Sequence, residues 1–239
     1  MLPTNVQSAL RLALQKAQAK FPDMIMSLSV LRMETAIAST QNNYNFILKD
    51  PGQQPADGTI QYRLNDNDAF ITVAVALNLK KFTTASPGEF PLFTHPDRSY
   101  FTTAGQAAAL ESVYNGSLQF KTASTVRIDS IATNAMRFAP NSQYKLNTSN
   151  VPVTPFTTPN YSPGIVNAEY GPTWEERGFV DIVNYPIIDG SEQNLWTLTL
   201  GTATLTAVGT DVNLTLFNAG ILIKGGGASA KRWNTPFLV

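Results

Sequence analysis

The sequence predicts a mainly β protein: an antiparallel β-sandwich of jelly-roll type, possibly a double one, with an N-terminal amphipathic helix and one short inserted helix. Nine segments carry period-two or continuous apolar patterns rich in β-branched and aromatic residues. Turn-forming residues punctuate them at short intervals, and the stretches between them lack the helices of about a dozen residues that a parallel βαβ sheet needs.

In chain order, Val6, Leu10, Ala13, Leu14, Ala17 and Phe21 recur at helical spacings, with Gln7, Arg11, Gln15 and Gln18 on the other side. This predicts an amphipathic helix capped at Asn5 and stopped before Pro22. From Leu28 the period becomes two. Candidate strands cover 28–36, 44–48, 60–64, 69–79, 117–120, 125–131, 179–188, 195–205 and 212–223. Residues 105–114, with Ala107, Ala108, Leu110, Glu111 and Val113, are the inserted helix. Turn signals stand at Asp50-Pro51-Gly52, Ala56-Asp57-Gly58, Pro87-Gly88, Asn115-Gly116 and Asp189-Gly190.

Three parts follow: a helical arm at 1–22, a sandwich body at 23–223, and a flexible tail at 224–239. The body contains a segment, 139–178, crowded with Pro140, Pro152, Pro155, Pro159, Pro163 and Pro172 and lacking any period. A loop of this length joins domains, embraces a partner or folds over the sandwich. Its aromatics, Phe156, Tyr161, Tyr170 and Trp174, favour partner contact over a solvated linker. Two jelly rolls require about sixteen strands, so one elaborated sandwich is the simpler expectation.

Composition removes most familiar chemistry. The 239 residues include no Cys and a single His. Thiolate nucleophiles, disulfides and Cys-type zinc sites are excluded, and H-E-x-x-H cannot be written. His95 has no G-x-S-x-G serine to serve and reads as a structural or surface histidine. Asn65-Asp66-Asn67-Asp68 lacks the EF-hand spacing and reads as an Asx-bonded turn. Glu175 and Glu176 are adjacent in an extended segment, so they point apart and cannot easily flank one glycosidic bond. Gly225-Gly226-Gly227 before Lys231 and Arg232 lacks the phosphate-loop order and reads as a hinge, with Trp233, Pro236, Phe237 and Leu238 as an apolar anchor beyond it. No catalytic residue, cofactor or metal ligand is expected. The apolar run at 69–79 is too short to span a bilayer and no leader pattern opens the chain, so a soluble protein is expected.

Charge is sparse, at 14% of residues, and sums to zero. It is also segregated. Arg11, Lys16 and Lys20 precede every acidic residue and Lys224, Lys231 and Arg232 follow them all, leaving eleven Lys and Arg against 17 Asp and Glu between. Basic ends on an acidic body are suited to meeting an anionic partner, either nucleic acid or a neighbouring copy. The same count is compatible with ordinary solvated lysines. The candidate contacts are Arg11, Lys16, Lys20, Trp174, Lys231, Arg232 and Trp233.

Several stretches resemble virion structural proteins of bacterial viruses: Leu31-Arg32-Met33-Glu34 before Tyr44-Asn45-Phe46-Ile47-Leu48, Leu64-Asn65-Asp66-Asn67-Asp68-Ala69-Phe70, and Tyr185-Pro186-Ile187-Ile188-Asp189-Gly190 leading into Asn194-Leu195-Trp196-Thr197-Leu198-Thr199-Leu200. The resemblance covers about half the chain. It implies a capsid or capsid-associated protein of an icosahedral bacteriophage virion, assembled in the host cytoplasm from many copies and other virion proteins, with no catalytic residues to transfer. The rival expectations are a carbohydrate- or receptor-binding sandwich of adhesin or fibre-head type, and a hydrolase with an unrecognised carboxylate site.

Overall fold

The computed structural model describes residues 4–48, 64–81, 92–97, 100–138, 178–182, 185–201 and 204–225. In order these form α1 (Thr4–Lys20), β1 (Ile25–Ala36), β2 (Asn43–Ile47), β3 (Ala69–Lys81), β4 (Leu92–Phe93) and α2 (Gln106–Leu110), the last continued by a 3-10 turn at Glu111–Asn115. Then come β5 (Ser117–Thr122), β6 (Thr125–Ala132), a second 3-10 turn (Thr133–Met136), β7 (Phe179–Asp181), β8 (Ile187–Asp189), β9 (Asn194–Thr199) and β10 (Val212–Lys224).

Two antiparallel sheets face each other, as the sequence predicts. The first runs β1-β10-β3, and the far side of β3 is lined in turn by β8, β7 and β4. The second runs β2-β9-β5-β6. Between them lies the main core, where Leu31, Met33, Leu77, Leu79, Leu214 and Leu216 of the first sheet meet Tyr44, Phe46, Leu118, Phe120, Trp196 and Leu198 of the second. The Phe120 and Trp196 rings stack with centroids 4.6 Å apart. Alternation in the second sheet is clean, as in β5 and β9, because one face is packed and the other is not.

The first sheet is covered on both faces. Its outer side carries a second core, in which Val6, Leu10, Ala13 and Ala17 of α1, with Phe21 just past its end, lie on Ala69, Ile71, Val73, Ala74, Ala219, Ile221 and Ile223. This explains why β3 and β10 read as continuous apolar runs. A bulge at Val73 sharpens the fit: Ala219 pairs with Ala74 while Gly220 pairs with Thr72, so Val73 and Ala74 both turn toward the helix. Gly220 faces the inner core, where a Cβ would run into the Ile71 carbonyl oxygen and come within 2.7 Å of the Phe70 ring.

Several expectations are amended. From Val6 to Ala17 the helix is seated on the body rather than reaching away from it, because its stripe has an apolar sheet face to bury. It begins at Thr4, which places Asn5 inside the helix and not at its cap. The strand expected at 179–188 is two, β7 and β8, separated where Tyr185 takes a φ of 32° and Pro186 has no N–H to give. Backbone bonds still tie that gap to the bulge, Thr72 N donating to Pro186 O at 3.0 Å and Ile182 N to Val73 O at 2.8 Å. The strand expected at 195–205 ends at Thr199, ahead of Gly201 in the left-handed region at φ 66°. Of the strand expected at 60–64, only Leu64 lies among the described residues, and it is outside any strand. Most of 139–178 and of the tail also lies outside them.

The seating of α1 is testable by equilibrium urea unfolding. Leu10→Ala should cost about 2–5 kcal/mol, the range for truncating a buried leucine, and deletion of residues 1–22 should uncover the apolar face of the first sheet and lower stability further. An unchanged midpoint in both variants would return the helix to the status of an appendage.

Candidate partner surface

The basic residues near the N-terminus lie on α1, and helix geometry divides them. At about 100° per residue, Lys16 and Lys20 share one flank of the buried stripe, one turn apart, while Arg11 falls on the opposite flank. Arg11 is exposed, and Lys16 and Lys20 are half-buried. Partial burial lowers the Lys20 ammonium from the ordinary lysine value. The helix therefore offers two separate basic points instead of one patch. Trp174, Lys231, Arg232 and Trp233, together with Glu175 and Glu176, lie outside the described residues.

A charged group that the sequence reading passed over sits on the outer face of the first sheet, beyond the end covered by α1. Register places Glu34 of β1 opposite Thr215 of β10, and Thr215 opposite Asn78 of β3, two residues from Lys80. Lys80 Nζ donates to Glu34 Oε2 at 2.8 Å, so the ion pair reaches diagonally over the central strand. Both residues are 3% exposed. Arg32 also contacts Glu34, and its guanidinium lies 5.7 Å from the centre of the Phe217 ring. The signal was present: Arg32 and Glu34, like Asn78 and Lys80, are polar residues at alternate positions of otherwise apolar strands. Two cations around one carboxylate make a strut; nothing in the cluster provides a nucleophile with its own base.

Asp68 behaves as the turn reading expects. Its backbone N donates to Asn65 O at 2.9 Å and its Oδ2 accepts from Asn65 Nδ2 at 3.2 Å, while its Oδ1 accepts from Gly225 N at 3.0 Å. The carboxylate thus pins the end of β10 to the start of β3. Among the described residues, no group of three or more His, Cys, Asp or Glu side chains converges as metal ligands would, and no helix is long and apolar enough to cross a membrane.

His95 lies beside the Arg137–Glu111 pair, whose two nitrogen–oxygen bonds are each 2.9 Å, and next to Thr94, whose Oγ1 donates to Phe138 O at 2.6 Å. Burial is the largest influence on the imidazole and lowers its pKa, against the opposing pull of Asp97. Below it, Tyr114 is fully buried and its hydroxyl is shared between Leu77 O at 3.3 Å and Phe93 O at 3.2 Å, with burial raising its pKa. These groups hold the β4 segment and the 3-10 turns against β3.

Comparison with protein-family models, curated proteins and solved structures returns no match.

Two measurements check these contacts. Glu34→Gln or Lys80→Met alone should destabilise by about 3–5 kcal/mol, because each strands a buried charge, whereas the double variant should recover much of the loss. Additive losses in urea unfolding would show that the pair is not coupled. For His95, a folded-state pKa below 6.5 means that its contribution is complete above that pH and is lost as pH falls through the folded value. His95→Gln should remove that part of the acid sensitivity in a pH series of thermal unfolding midpoints; an unaltered profile would contradict the burial effect.

Proposed function

We propose that this chain is a structural protein of a virion, assembling with further copies of itself into an icosahedral shell. The nested order of strand pairing supports the fold that this reading needs. β1 pairs with β10, β2 with β9, β3 with β7 and β8, and β5 with β6. With β7 and β8 counted as one interrupted strand, the chain is a long antiparallel ribbon doubled back at the β5–β6 hairpin. Successive ribbon pairs fall alternately in the first and second sheet, and the roll is closed by β10 against β3 and β9 against β5. That order supports a single eight-stranded jelly roll, an architecture found in viral capsid domains, lectins and cupins.

Architecture does not choose among those uses, so the surface must. A neutral, charge-poor exterior does little to keep copies apart. Basic ends on a body with six more acidic than basic groups give copies a mutual, salt-sensitive attraction. Nucleic acid is the weaker partner for those ends, since α1 sets Arg11 apart from Lys16 and Lys20. Other virion proteins would meet the same faces.

Electron microscopy of the concentrated, purified chain tests the proposal directly. Closed particles or curved sheets are expected at low ionic strength, loosening toward about 1 M salt, where the Debye length is roughly 3 Å. A protein that stays monomeric and binds immobilised glycans would overturn this reading in favour of the carbohydrate-binding one.

A further inference from the structure

We infer that the outer edge of β1 is a self-pairing strand, through which two copies join their first sheets about a two-fold axis. The inference deepens the assembly reading and rests on it for the identity of the partner, but its geometry comes from β1 alone.

Among the described residues, β10 pairs with one side of β1 and no strand pairs with the other. All twelve residues of β1 keep an unbroken register with β10, with no bulge to turn the edge away. Residues 25–31, Ile-Met-Ser-Leu-Ser-Val-Leu, contain neither charge nor proline. The first half of the strand is left open: Ile25 is 71%, Leu28 52% and Val30 37% exposed. Leu28 and Val30 stand opposite Ile221 and Ala219, so they project on the side occupied by α1, where Leu12 is also exposed.

The remaining sheet margins are guarded in the ways natural edges usually are. β2 has five residues, and along the far side of β3 the segments β4, β7 and β8 have two, three and three. β6, the far edge of the second sheet, carries Arg127 and Asp129. Among the described residues, β1 alone offers a long, regular edge with seven consecutive uncharged residues, 25–31.

Charge decides the occupant. Antiparallel pairing about a two-fold axis sets a segment against its own reverse, so any charge near the centre would face its like a few ångströms away. Residues 25–31 bring none; centred on residue 28, the overlap sets Leu28 of one copy beside Leu28 of the other and Val30 beside Met26. A seven-residue overlap is about 24 Å long at ~3.4 Å per residue, and the pairing would continue one first sheet into the next. A charged partner would find no complement here; a second copy finds an identical neutral edge.

The test is light scattering coupled to size exclusion on the full chain, across a concentration series, with circular dichroism as the folding control. The unaltered chain should dimerise or assemble further. Leu28→Lys and Leu28→Glu should each reduce the apparent association constant by at least tenfold while keeping the β signal, because residue 28 is half exposed. An equimolar mixture of the two should restore pairing, a rescue that general destabilisation would not give. If both charged variants associate as the unaltered chain does, the β1 edge is overturned and the assembly reading stands. If the unaltered chain is monomeric at every concentration, both fall.

Discussion

The pairing of β3 with β10 is the contact on which the rest depends. These two 13-residue strands lie side by side at the centre of the first sheet, and both their faces are buried. One face supplies the inner wall of the sandwich and the other is the floor for α1 and for the Glu34–Lys80 strut. Antiparallel strands are often dry on one side and wet on the other. Here the second dry face obliges the chain to provide another layer, and the N-terminal helix is that layer.

The outer face is divided along its length. Toward one end it shows Ala69, Ile71, Val73, Ala219, Ile221 and Ile223, and toward the other Asn78, Lys80, Asn213, Thr215, Arg32 and Glu34. An apolar helix stripe gains by covering the first region and would strand charges over the second, so the division sets where α1 can sit. The bulge at Val73 adds one more apolar residue to the helix side, and the break between β7 and β8 lies across from it. Both irregularities fall at one level of β3, where the strand changes which alternate residues face the helix.

For function, the useful contrast is between well-tied interior contacts and the uncharged edge at residues 25–31. Asp68, Tyr114, Arg137 and the Glu34–Lys80 pair are all engaged within the chain, and their partners are backbone or side-chain amides, carbonyls or opposite charges. Such groups stiffen a building block. β1 instead ends the sheet with a neutral row of backbone donors and acceptors, which can be satisfied by water or by another strand. The proposed self-assembly draws on both features, the tied interior and the open β1 edge, together with the segregated charge.

Much of this was legible residue by residue. The 3.6-residue recurrence from Val6 to Phe21, the apolar runs of β3 and β10 and the alternation of β5 and β9 are local signals, because burial on one or both faces is written into each segment's own pattern. The partner residues were less accessible: Arg11, Lys16 and Lys20 read as one basic group along the chain and separate around the helix. What only the tertiary structure decided is long-range. Glu34 meets Lys80 across 46 positions of sequence, the break in the strand at 179–188 comes to lie opposite the bulge in β3, and the helix lies down because a sheet face formed from 69–74 and 219–223 awaits it. Each depends on which segments become neighbours, and no periodicity within a single segment encodes that.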